Sequence, residues 1–314
     1  MIWRRLTHVP ARLRRVWREA ITDADHHYDL YLRWREHLAQ LGMADVRGRE
    51  VLDIGTGDRA PMSLLFATAG ARVTSLDTLP IEFGWRRPLM WWRVAKTEGS
   101  RRAIVAATRD VLHTFRYWRH LKTRAGQSLP FSDITLVRGD AAHLPNRDSS
   151  FDLVVSSAVW EHLPDVAGAT REVDRVLRPN GIAAILIALF PGIRGGHHAE
   201  WHTANPGTHR EIRPWDHLYP NRVPLPLYLN GWRESQYRTV LGSSLAVIEW
   251  EDGEMEGRDY LTERVSRELS EFSERDLLLS WITVWATRRD PNAVNALDDY
   301  DAPGIRLRSE GSIP

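Results

Sequence analysis

Carboxylates gather around a paired-glycine turn in this sequence. The apolar run Val51-Leu52-Asp53-Ile54 enters Gly55-Thr56-Gly57, and Asp58 and Pro61 follow. Glycine lets the backbone turn sharply and lie against a ligand with no Cβ in the way. Pro61 suits the first turn of a helix leaving the loop. Two further acids end apolar runs: Asp77 after Val73-Thr74-Ser75-Leu76, and Asp140 after Val137-Arg138-Gly139, with Ala141 next. A fourth run, residues 151–157, ends in Ser157 and opens into Ala158-Val159-Trp160-Glu161-His162-Leu163-Pro164.

The charge around the turn separates two kinds of ligand. Gly55 to Ala60 fits the dinucleotide pattern G-x-G-x-x-G/A. A dinucleotide lays its pyrophosphate on bare amides at a helix N-terminus, and Asp53 and Asp58 would repel it. S-adenosylmethionine carries a sulfonium and an ammonium and no phosphate, so the same carboxylates favour it. In doubly wound folds a carboxylate about 20 residues past the glycine loop hydrogen-bonds ribose hydroxyls. Asp77 stands 24 positions after Asp53, with Thr78 beside it as a further expected contact. Asp140 is placed to accept from an adenine amino group.

These residues need a scaffold that brings strand ends together. Residues 51–54, 72–76, 134–137, 151–157 and 182–189 read as strands, and 61–69 and 165–177 as helices between them. Such alternation implies a parallel sheet covered on both faces. Later strands are expected at 245–250 and 281–287. Residues 1–49 read as a helical extension: one amphipathic pattern is interrupted by Pro10, and a second runs over 27–41 with Gly42 as its stop. Two stretches exceed the usual few residues of an α/β connection and read as insertions. One is 79–130, rich in Arg and Trp; the other is 191–232, rich in His, Pro and Gly. The main domain is expected over 50–290, and the tail, 291–314, reads as weakly ordered.

The segments 51–57, Asp77, 139–141, 151–164 and 172–181 resemble the successive motifs of class I S-adenosylmethionine-dependent methyltransferases, in the branch acting on small molecules, quinones and glycans. The similarity covers about residues 50–189, with order and spacing kept apart from the insertion before Ile134. It implies a Rossmann-like, seven-stranded doubly wound α/β sheet whose last strand is antiparallel. It also implies that Gly55, Thr56 and Gly57 line the methionine end of the donor. Asp53 would organise its ammonium, Asp77 would bind the ribose, Asp140 and Ala141 would contact adenine, and Ser157 would lie beside the donor. The expected activity is methyl transfer to O, N or C of a small or lipid-linked acceptor. A nicotinamide-dependent oxidoreductase and a catalytically silent donor-binding protein are the alternatives.

Methyl transfer from a sulfonium needs in-line approach, with a base only if the acceptor must lose a proton. Candidate bases are His162 after the fourth strand, and His197, His198, His202, His209 and His217 in the second insertion; histidine suits the work because its ordinary pKa is about 6.5. For His162 the plainer reading is a packed residue that orders its loop. The run Gly195-Gly196-His197-His198-Ala199-Glu200-Trp201-His202 is not H-E-x-x-H, and Pro206-Gly207 argues for a loop, so no metal centre is expected there. In the first insertion Trp85, Arg86, Arg87, Trp91, Trp92, Arg93, Arg101, Arg102, Arg116, Trp118 and Arg119 face few acids. That surface suits an anionic acceptor, a phosphorylated lipid-linked sugar or a membrane interface, or else a helical lid with a solvated Arg face over packed Trp.

The formal net charge is only +1, which does not suggest a nucleic-acid binder. Cysteine is absent, excluding disulfides, thiolate zinc sites and a cysteine nucleophile. The Arg-rich N-terminus lacks the apolar centre of a signal peptide, and no stretch reaches the roughly 20 apolar residues of a membrane span. A cytoplasmic protein is expected, at the inner membrane surface if the Arg/Trp-rich segment docks there.

Overall fold

The computed structural model describes residues 11–79, 81–83, 86–198, 201 and 211–289. The expectations placed on Pro10, Trp85, His202, Pro206-Gly207, His209 and the tail beyond residue 290 lie outside them.

Seven strands form one mixed sheet in the order β3-β2-β1-β4-β5-β7-β6. They are β1 (Glu50–Ile54), β2 (Arg72–Asp77), β3 (Ile134–Arg138), β4 (Phe151–Ser157), β5 (Leu177–Ala188), β6 (Leu245–Asp252) and β7 (Trp281–Arg288). The first five pair in parallel, and β7 runs antiparallel to both β5 and β6. The chain winds outward from β1 in one direction through β3, then restarts beside β1 with β4. That reversal opens a crevice at the C-terminal ends of β1 and β4, where open α/β sheets hold ligands.

The pleat sorts side chains onto two buried faces. Val51, Val73, Leu153, Val155, Ala184 and Trp285 join one core cluster, while Leu52, Ile54, Val154, Ala183, Ile185 and Val284 join the other. On the first face lie α1 (Ala11–Gln40), α2 (Pro61–Thr68) and α5 (Phe115–Ala125); on the second lie α6 (Val166–Val176) and α7 (Glu234–Ser244). Asp53 shares the parity of Val51, so the strand carries its carboxylate into the first layer.

The two amphipathic patterns expected near the N-terminus merge into one helix, α1. It ends as expected at Gly42, which takes φ +87°. The Met43 amide donates to the Leu38 carbonyl at 2.7 Å and the Gly42 amide to Ala39 at 3.1 Å, closing a Schellman cap. Far from hanging free, α1 buries Ala24, Leu30, Trp34 and Leu38 against the sheet, and His37 stacks on Trp285 at 4.2 Å.

The first insertion is helical: α3 (Arg87–Glu98), α4 (Ser100–Arg109), a π-helical turn over Asp110–Thr114, then α5. Tyr117, Trp118 and Leu121 of α5 enter the core, whereas Trp92, Ile104, Val105 and Val111 are exposed. Trp is therefore packed beneath at one end of the insertion and solvated at the other. The described residues of the second insertion form turns and a 3-10 helix over Asp216–Leu218, and Ile193, Trp201 and Trp215 make a small cluster with Leu269, Leu277 and Leu278. The last of these belong to the segment carrying α8 (Glu263–Glu268) and α9 (Glu274–Leu278). Among the described residues no helix is long and apolar enough to cross a membrane.

Candidate active site

The turn after β1 requires its glycines. Gly55 and Gly57 take φ +70° and +66°, and a Cβ on Gly55 would sit 2.3 Å from a Val159 methyl. Ala60 is also left-handed, with φ 47°, and Pro61 then opens α2. The turn, with Asp53, Thr56, Asp58, Arg59, Met62, His27, Ser157 and Ala158, encloses a hollow of about 260 Å³ at the β1–β4 crevice.

Asp53 anchors this turn. Its Oδ2 accepts from Thr56 Oγ1 and Ser63 Oγ, each at 2.6 Å, and from the Ser63 amide at 3.0 Å. Ser63 in turn contacts Ser75 Oγ at 2.5 Å, on the strand whose Ser75 is in register with Asp53. Burial pushes the Asp53 carboxyl up to about 6, against the pull of the Ser63 and Thr56 hydrogen bonds. Asp77 takes the Gly57 amide on Oδ2 and the Leu79 amide on Oδ1, both at 2.9 Å. It thus fixes the second glycine while each oxygen keeps a further lone pair.

The acids around the turn divide by partner. Asp58, read from the sequence as facing the ligand, is held by Arg87 Nη2 at 3.1 Å. Arg59 pairs with Asp23 of α1 at 2.5 Å. Among the described residues neither Asp53 nor Asp77 has an ion-pair partner, so the charge that suits a cationic ligand rests on these two. Thr78, Asp140 and Ala141 lie outside the hollow, on its β2–β3 side. The Thr78 carbonyl accepts from Arg138 Nε at 3.0 Å. Asp140 Oδ1 caps its own turn through the Ala142 amide at 3.0 Å, and Ala141 is buried.

Beyond Ser157 and Ala158, Trp160–His162 makes a short 3-10 turn. Asn230 pins it from the second insertion: its amide donates to Glu161 O at 2.9 Å and its Nδ2 to Trp160 O at 2.8 Å. Glu161 is 1% exposed. Burial pushes its carboxyl up to about 8; the Glu161 and Ala188 amides approach it and lower the value, without closing a hydrogen bond of good geometry. His162 and His197 meet here, with ring centroids 4.8 Å apart and planes at 84°. Desolvation lowers the His162 pKa, and its Nδ1 lies 3.0 Å from Tyr228 O. His198 lies close enough to His217 to oppose its protonation. His217 itself turns Nε2 to the Phe190 carbonyl at 2.9 Å; burial pushes its pKa down to about 4.

Among known proteins, the family model of the methyltransferase domain matches residues 97–185. That span takes in β3, β4, Asp140, Ser157 and the Glu161-His162 turn. The match covers less than a third of the chain and begins after the glycine turn. The sheet order, with β7 antiparallel, is the fold of class I S-adenosylmethionine-dependent methyltransferases. The chain is 38% identical over 73 residues to the demethylmenaquinone methyltransferase of Staphylococcus carnosus, covering 23% of this chain and 30% of that one. It is 36% identical over 69 residues to the uncharacterized protein YafE of Escherichia coli, covering 22% and 33%. The chain thus spans about a third of the length of these curated relatives. An S-adenosylmethionine-dependent methyltransferase from Mesorhizobium loti aligns with a TM-score of 0.43 at 19% identity, covering 78% of this chain and 93% of that one. S-adenosylmethionine is the cofactor of the methyltransferase family so matched.

Sequence reasoning passed over three features of this candidate site. His27 reaches the hollow from α1, a helix that carries no motif; its Nδ1 meets the Tyr117 hydroxyl at 3.1 Å. Arg87 and Asp110 pair across two inserted helices at 2.6 Å, a meeting that no periodicity announces. Glu161 was visible as a lone acid in an apolar and aromatic stretch, which is the one signal the sequence offered for it.

Proposed function

We propose that this chain transfers the methyl group of S-adenosylmethionine to an O, N or C atom of a small or lipid-linked acceptor. The observation that carries the reading is the glycine turn at the β1–β4 crevice with Asp53 and Asp77 beside it and, among the described residues, no cation paired to either. Asp53 would organise the donor's ammonium through its fixed turn, with Gly55, Thr56 and Gly57 along the methionine portion and Ser157 beside it. Asp77 and Thr78 would meet the ribose, and Asp140 and Ala141 the adenine. Positioning then supplies most of the rate enhancement, since in-line displacement at a sulfonium asks little covalent help.

The acceptor side falls to the loop after β4 and the second insertion, where His162, His197, His198 and His217 are gathered. A relative named for demethylmenaquinone supports an acceptor of small or lipid type. Exposed Trp92, Ile104 and Val105 beside Arg101 and Arg102 support peripheral contact with an anionic membrane face. Calorimetric titration decides the donor. Binding of S-adenosylmethionine without binding of NAD upholds the reading; the reverse makes the chain an oxidoreductase. Donor binding with no methylated product from labelled donor and cell extract would leave a silent binding protein.

A further inference from the structure

Glu161 is a buried acid with no use in donor binding, and its surroundings are peculiar. Neither carboxylate oxygen has a hydrogen-bond partner among the described residues. A buried carboxyl left so keeps its proton, and ionises there only when a counter-charge completes it. What faces it are two imidazole nitrogens: Glu161 Oε1 lies 3.9 Å from His162 Nε2 and 3.8 Å from His197 Nε2. These separations are too long for hydrogen bonds. We propose that Glu161, His162 and His197 form a binding site for a divalent transition-metal ion of the zinc type, on the acceptor side of β4.

Three features of the geometry carry this assignment. The ligating atoms of the three residues all lie within 4.8 Å of one another. Bonds of about 2.0–2.2 Å in a tetrahedral site put ligand atoms roughly 3.4 Å apart, so closing on an ion asks for shifts of up to roughly 1.4 Å. The second ring nitrogen of His162 is already committed. A carbonyl only accepts, so Nδ1 carries the proton given to Tyr228 O at 3.0 Å, and Nε2 is turned toward Glu161. Metal-ligating histidines are commonly oriented by such a hydrogen bond. The backbone holding the ligands is also fixed. Asn230 clamps the Glu161 carbonyl at 2.9 Å. His197 is set at φ 52° after Gly195, where a Cβ would lie 2.0 Å from Phe190 O.

Two imidazoles and one carboxylate suit Zn²⁺ or Fe²⁺ and do not suit the all-oxygen preferences of Mg²⁺ or Ca²⁺. Three protein ligands leave an open position, the pattern of a catalytic rather than a structural site. An acceptor oxygen in that position would lose its proton more readily. This purpose rests on the methyl-transfer reading, whereas metal binding itself does not.

The test uses tag-free full-length protein loaded with Zn²⁺, dialysed against metal-free buffer and assayed by elemental analysis. Co²⁺ substitution, read by visible ligand-field absorption, reports on the ligand set. One equivalent per chain is expected, with affinity reduced tenfold or more in Glu161→Gln and in His197→Ala; circular dichroism verifies that each variant is folded. No retained metal, or equal retention in wild type and both variants, overturns the site. S-adenosylmethionine is titrated into the same samples. Donor binding without metal then sinks only the metal site. Specific Zn²⁺ retention without donor binding upholds the metal site and sinks the proposed function.

Discussion

Arg87 ties the first insertion to the glycine turn by gripping Asp58 twice: Nη1 donates to its carbonyl at 2.9 Å and Nη2 to its carboxylate at 3.1 Å. The same guanidinium, fully buried, pairs with Asp110 in the π-helical turn at 2.6 Å. A second strap lies alongside, where Trp118 Nε1 donates to Arg59 O at 2.9 Å. The insertion is thus built onto the loop proposed to hold the donor, and the two should respond together.

Replacing Arg87 with Met should destabilise the protein by about 3–5 kcal/mol, because Asp110 is left buried without its counter-charge. Asp110 is only 2% exposed, so water cannot take over. Chemical denaturation should show that loss, and the double variant Arg87→Met/Asp110→Leu should recover a large part of it. Additive losses in the double variant would contradict the pairing.

Asp77→Ala removes the acceptor for the Gly57 amide and, on the proposed reading, for the donor's ribose. Donor binding should weaken by about 1.5–3 kcal/mol, roughly 10- to 150-fold, as for a charge-assisted hydrogen bond. Calorimetry with S-adenosylmethionine measures it; an unchanged dissociation constant would remove Asp77 from the donor site.

Asp53 should impose a pH dependence. Burial raises its pKa to about 6, above the value near 3.8 of the open chain. The folded protein therefore holds this proton more tightly, and the resulting stability is full below pH 3.8 and lost as pH rises through about 6. Over that interval the Asp53 share should fall by on the order of 3 kcal/mol, read as the difference between wild type and Asp53→Asn in the free protein. A cationic donor favours the ionised form, so its affinity should rise as pH passes upward through about 6. A flat affinity in wild type between pH 5 and 7.5 would exclude this contact.

His217 has the opposite sign. Burial lowers its pKa to about 4 from 6.5, so the folded state prefers it neutral. Its share of stability is present above pH 6.5 and lost as pH falls toward 4. His217→Gln keeps a neutral donor for the Phe190 carbonyl and should flatten that acid limb in thermal melts. An acid limb of unchanged steepness would count against the burial of His217.

Much of the fold was legible because its signals are local. The strand runs ending in Asp53, Asp77 and Ser157 are short, apolar and punctuated, and β4 begins and ends where the sequence indicates. Gly42, Gly55 and Gly57 are conformational demands of a single residue each, so they can be read without neighbours. The continuity of α1 was not legible, because the gap between the two patterns buries only the small Ala20 and Ala24 and is held instead by the distant Arg59 on Asp23. Asp58 lines the hollow, as the sequence indicates, but its neutralisation was hidden for a related reason: a carboxylate's meaning depends on the nearest cation, and Arg87 is 29 positions away.

By itself the sequence determined the order of strands and helices, the glycine turn and the acids at strand ends, since backbone conformation and side-chain periodicity are properties of neighbouring residues. Only the tertiary structure decided which charges remain unpaired and which imidazoles face Glu161. His197 and Glu161 are 36 positions apart. They meet because the second insertion folds back onto the loop after β4 and Asn230 fastens it there. Electrostatics and ligation act through space over a few ångströms, and distance along the chain carries no record of them.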